Sequence, residues 1–73
     1  MMKGGKYVRI NADIMELKAA ERGLSLTELS QISGVAPSTI SKINKNQRCT
    51  GQTFLKIAKA LEVEPKELFL KEE

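Results

Sequence analysis

The side chains best suited to chemistry are Ser38, Thr39, Ser41, Lys42 and Lys45, which crowd into eight residues around Ile40 and Ile43. At the helical period the two isoleucines share one face, and Ser38, Ser41, Lys42 and Lys45 lie towards the other. Hydroxyl and ammonium groups on one exposed ridge are hydrogen-bond donors. They suit phosphate oxygens and the acceptor atoms on base edges, with a lysine able to reach guanine O6 or N7. Ahead of this ridge Pro37 opens the helix, since its missing N–H had no intrahelical partner.

The charge pattern points the same way. The net charge is only +3, but all nine acidic residues lie at or before Glu28, or at or after Glu62. Between them stand Lys42, Lys45, Arg48, Lys56 and Lys59 with no Asp or Glu. A centre this one-sided suits a polyanion. Lys56 and Lys59 read as a solvated face.

Catalysis finds little support. There is no histidine, and Cys49 is the only cysteine. A zinc site, a cysteine–histidine pair and a disulfide framework are therefore not expected, and no glycine-rich phosphate loop is present. No cofactor, metal or small-molecule ligand is inferred. Cys49 reads as a small loop residue, and a lone thiol fits a reducing compartment. No apolar run approaches the ~20 residues needed to span a bilayer, and no signal-peptide pattern follows the basic start. A cytoplasmic protein without a membrane partner is expected.

The elements that must hold the ridge can be read in turn. Residues 1–10 form an expected flexible arm, with a short extended segment at 7–10 that puts Val8 and Ile10 on one side. Asn11 caps a first helix to about Arg22, with Ile14 and Leu17 as its buried candidates and Gly23 as its left-handed stop. Ser25 and Glu28 make a capping box for a second helix, with Leu24 as staple and Leu29 and Ile32 as its buried stripe. Ser30 is small where two helices could cross closely, and Gly34 ends the helix. The third helix starts at Pro37, and Asn44, Asn46 and Gln47 lead into a polar loop. Thr50 caps a fourth helix with the stripe Phe54, Ile57, Ala58 and Leu61. Glu64 and Pro65 begin a short fifth carrying Leu68 and Phe69. The prediction is an all-α domain of five short helices over residues 11–70, with a tail at 71–73. No strand is expected beyond the N-terminal segment.

The spacing over residues 26–45, two short helices about a glycine turn, resembles the Cro/C1-type (XRE-type) helix-turn-helix. Leu29, Ser30, Gly34, Val35, Ile40 and Ile43 fall at that family's structural positions, and residues 54–63 resemble its following helix. The resemblance covers about residues 11–70 and implies a lambda-repressor-like fold. It also implies that Ala36, Pro37, Ser38, Ser41 and Lys42 face base edges. Phosphates would fall to Ser25, Leu26, Lys45, Asn46 and residues 48–52, Arg48 included, with Thr39 a further phosphate candidate. Three positions depart from the family pattern. Leu26 replaces a phosphate-contacting glutamine, Pro37 offers only apolar contact, for example to a thymine methyl, and Glu62 stands where glycine is usual.

The function so implied is sequence-specific binding of double-stranded DNA by a small transcriptional regulator, a repressor of phage or mobile-element type. The alternative is an antitoxin or adaptor using the same scaffold for protein contact. A homodimer on a palindromic site is expected, because one domain this small makes few base contacts. Leu68, Phe69 and Leu70, or the strand edge at residues 7–10, are the candidate dimer surfaces.

Overall fold

A computed structural model describes residues 7–70. The arm residues 1–6 and the tail 71–73 lie outside the described residues. The order of elements is β1 (Tyr7–Arg9), α1 (Ala12–Glu21), α2 (Leu26–Ser33), α3 (Pro37–Asn46), β2 (Arg48–Thr50), α4 (Gly51–Leu61) and α5 (Pro65–Leu68). The five helices are those the sequence predicts.

Local signals set most of the boundaries. The Asn11 side chain accepts from the Ile14 amide at 3.2 Å, and α1 ends one residue before Arg22. The Ser25 hydroxyl accepts from the Glu28 amide at 3.1 Å, while the Glu28 carboxylate accepts from the Ser25 amide at 2.9 Å. Gly34 leaves α2 at φ 76°, a left-handed conformation that costs a side-chain-bearing residue about 1–2 kcal/mol. Thr50 caps α4 by accepting from the Thr53 amide at 3.2 Å. Glu62 closes α4 at φ 58°, in the conformation glycine would take more cheaply, and pairs with Arg22 at 3.0 Å.

The core is built from Ile10, Met15, Ala19, Leu29, Val35, Ile40, Ile43, Cys49, Phe54, Ile57, Ala58, Leu61 and Leu68. Ser30 is buried with it, where α2 packs against α3 and α4. The full α4 stripe and both α3 isoleucines are inside, as read from the sequence.

Several expectations are corrected. Leu17 and Ile32 are more than half exposed, not buried. In α1 the inward face is Ala12, Met15 and Ala19, a large side chain flanked by two small ones that let the helix approach closely. In α2 the buried pair is Leu29 and Ser30, which turns the stripe away from Ile32. Asn44 and Asn46 belong to α3, which runs to Asn46 before Gln47 turns left-handed at φ 58°. The expected polar loop is then a strand. β2 pairs antiparallel with β1, with Tyr7 opposite Thr50, Val8 opposite Cys49 and Arg9 opposite Arg48. Cys49 is thus a buried strand residue and not a loop residue, and burial pushes its thiol up to about 11.

The strand edge proposed for dimer pairing is also occupied from Arg9 to Asn11. On one side Ile10 N donates to Gln47 O at 3.0 Å. On the other, Leu70 N donates to Arg9 O at 3.0 Å and Asn11 N to Leu68 O at 2.7 Å. Leu68 itself is fully buried and cannot serve as a dimer contact, whereas Phe69 is half exposed and sits edge-on to Phe54 at 6.5 Å.

Candidate nucleic-acid interface

Helix α3 is held from below by Ile40 and Ile43, each only 1% exposed. Leu29 of α2, Met15 of α1 and Ile57 of α4 belong to the same packed cluster. With that face locked, Ser38, Ser41, Lys42 and Lys45 point outward and are exposed. Pro37, Ala36 and Asn46 are exposed too, and Thr39 is half-buried. The ridge therefore reaches solvent along the whole helix, a rigid presentation suited to a groove about 12 Å wide.

Two depressions flank the ridge. One of about 200 Å³ lies towards α2 and is lined by Leu26, Thr27, Pro37, Ile40, Ser41 and Asn44. The other, of about 500 Å³, lies towards the strands and takes in Thr39, Lys42, Asn46 and Arg48. The first has an apolar floor. Leu26 is partly buried against the core there, so it serves packing where a glutamine would serve phosphate. The second gathers two cations and several hydroxyl and amide donors, with no carboxylate in its lining.

Electrostatics favour an anion on this side. The ion pairs among the described residues join Lys18 to Glu21 and Glu67, and Arg22 to Glu62. None involves Lys42, Lys45 or Arg48. These three charges are not neutralised within the described fold and remain available to phosphate.

The start of α2 is less open than expected. Ser25 is exposed, but its amide is already taken by the Glu28 carboxylate. A phosphate approaching Ser25 meets that negative charge, which offsets part of the attraction of the helix terminus. The Ser25 hydroxyl can still donate while its oxygen accepts from Glu28.

The structure brings Thr39, Lys42, Asn46 and Arg48 together around one groove. Pro37 and Ser41 share the other, while Ser25 stands apart at the start of α2. Tyr7 and Thr53 join the strand-side groove, and Thr27 and Asn44 join the α2-side groove, without having been singled out from the sequence as contacts. Strand alternation alone places Tyr7 opposite in facing to Val8. Only the pairing of β1 with β2 carries it beside α3.

Comparison with known proteins agrees with this geometry. The family model for the Cro/C1-type HTH DNA-binding domain matches residues 14–70. The chain is 37% identical over 54 residues to an HTH-type transcriptional regulatory protein of Methanosphaerula palustris, a match covering 74% of this chain and 18% of that protein. The chain thus spans less than a fifth of that relative's length. In structure it is similar to the restriction-modification controller protein C.AhdI from Aeromonas hydrophila, with a TM-score of 0.72 and 32% identity, covering 80% of this chain and 89% of that one. Among the described residues no helix is long and apolar enough to cross a membrane, and no three metal-ligating side chains gather. The matched family, the five-helix fold and the outward cationic ridge agree: this chain belongs to the Cro/C1-type helix-turn-helix DNA-binding domain family.

Proposed function

We propose that the chain recognises a specific duplex DNA sequence by seating α3 in the major groove, and that it regulates transcription by doing so. The observation that carries this reading is the exposed ridge of Ser38, Ser41, Lys42 and Lys45 on a helix fixed by two buried isoleucines. Lys42 donates to guanine O6 or N7, Ser38 and Ser41 meet neighbouring base edges, and Pro37 offers apolar contact to a thymine methyl. Thr39, Lys45, Asn46 and Arg48 hold phosphates, with Ser25 a further contact at the α2 terminus. The names of the similar proteins, a transcriptional regulator and a restriction-modification controller, support the regulatory role. A domain occupying the groove at a promoter blocks polymerase, which makes repression the simplest output.

Two copies related by a two-fold axis would read a palindromic site with half-sites about one helical turn apart. With Leu68 buried, the exposed apolar side chains among the described residues that could serve that contact include Phe69 and Leu55, the latter beside Ala58, Val63 and Pro65. Selection of bound sequences from a random duplex pool tests the whole reading. It should return a palindrome with that spacing. Recovery of unenriched sequence would refute specific recognition. An adaptor would give no complex in a gel shift even at low salt.

A further inference from the structure

We propose that Tyr7 is a further DNA-contacting residue, whose phenol hydroxyl donates to a backbone phosphate seated in the groove between the strands and α3. This rests on α3 occupying the major groove, and it extends the interface to an element outside the helix-turn-helix.

The groove of about 500 Å³ is lined by Tyr7, Thr39, Lys42, Asn46, Arg48, Cys49, Thr50 and Thr53. Its wall on the α3 side belongs to the recognition ridge through Lys42, so whatever fills it is continuous with DNA already held there. Lys42 and Arg48 make it cationic, and no carboxylate lines it. The occupant that matches two cations and a ring of neutral donors is a phosphodiester of the same duplex. The antiparallel register sets Tyr7 directly opposite Thr50, on the face away from buried Cys49. Tyr7 is 66% exposed and makes no hydrogen bond with the described residues, so its hydroxyl is free to donate. Its strand is paired with β2 and held two and three residues further on by Leu70 N to Arg9 O and by Ile10 N to Gln47 O, each 3.0 Å, so the backbone that carries the ring is positioned before the phosphate arrives.

The test uses the full chain and the duplex recovered by selection. Tyr7→Phe keeps the ring and deletes only the donor. Affinity should fall by roughly two- to tenfold, equally on the selected site and on random DNA. The salt dependence should not change, since no charge is lost. Each phosphate of the site is then replaced in turn by methylphosphonate. The wild-type protein should lose affinity at one phosphate per half-site where Tyr7→Phe loses none further. If Tyr7→Phe binds like wild type, or the two methylphosphonate profiles superimpose, the assignment of Tyr7 is overturned while the reading of α3 stands. If the wild-type protein itself fails to discriminate the selected site from random duplex, both fall together.

Discussion

Replacing Lys45 by alanine should flatten the salt dependence of DNA binding by a calculable amount. Lys42, Lys45 and Arg48 are exposed, and none is paired to a described carboxylate. With Lys42 on a guanine, the cations left for phosphates are Lys45 and Arg48, four in a two-fold dimer. At about −0.9 per neutralised phosphate, log K should fall by about 3.6 for each tenfold rise in salt. Between about 50 and 200 mM salt the wild-type affinity should drop roughly 150-fold. Lys45→Ala leaves two contacts, a slope of about −1.8 and a drop of roughly 12-fold. The variant's deficit should therefore shrink about twelvefold across that range, because the lost contact matters most where counterions are scarce. Fluorescence anisotropy on a labelled duplex, titrated at five salt concentrations, measures both slopes. Lys45 is exposed on the last turn of α3, away from the core, so the fold should tolerate the change. Parallel lines for the two proteins would refute the reasoning, because Lys45 would then neutralise no phosphate.

Other outcomes follow from the same structure. Lys42→Ala should weaken the selected site more than random DNA in competition binding; equal loss would make Lys42 a phosphate contact only. Gly34→Ala should cost about 1–2 kcal/mol, entirely in backbone strain at φ 76°, since a Cβ there meets nothing within 4 Å. For a domain of this size that lowers the melting temperature by roughly 4–15 °C, and an unchanged melting curve would contradict the left-handed turn. The Cys49 thiol is raised from 9.0 to about 11 by burial, so the protonated form is favoured in the folded state. Its contribution is complete below pH 9 and is lost as pH climbs to about 11, so stability should fall across that window relative to Cys49→Ala. Iodoacetamide should accordingly leave native protein unmodified at pH 8 and label it rapidly in denaturant.

The sequence alone determined the helices and most of their ends. Asn11, the Ser25–Glu28 box, Gly34, Pro37 and Thr50 act within a few residues of themselves, so each is legible wherever the chain goes. The stripe of α4 and the pair Ile40 and Ile43 were legible for a related reason, because large apolar residues at helical spacing leave one face to bury. The ridge of α3 followed as the face they leave exposed. Tertiary structure decided the rest. In α1 and α2 the buried faces include Ala12, Ala19 and Ser30 beside Met15 and Leu29, and the value of the small residues lies in how closely a neighbouring helix approaches, which is not a local property. Leu17 and Ile32 were left outside in consequence. β2 is three residues that hold their shape through pairing with β1, some forty positions earlier, so no local period announced it. The same pairing buries Cys49, takes one edge of β1, and brings Tyr7 into the groove that Lys42 also lines. Short strands take their conformation from a distant partner's hydrogen bonds, whereas helices make theirs from their own backbone.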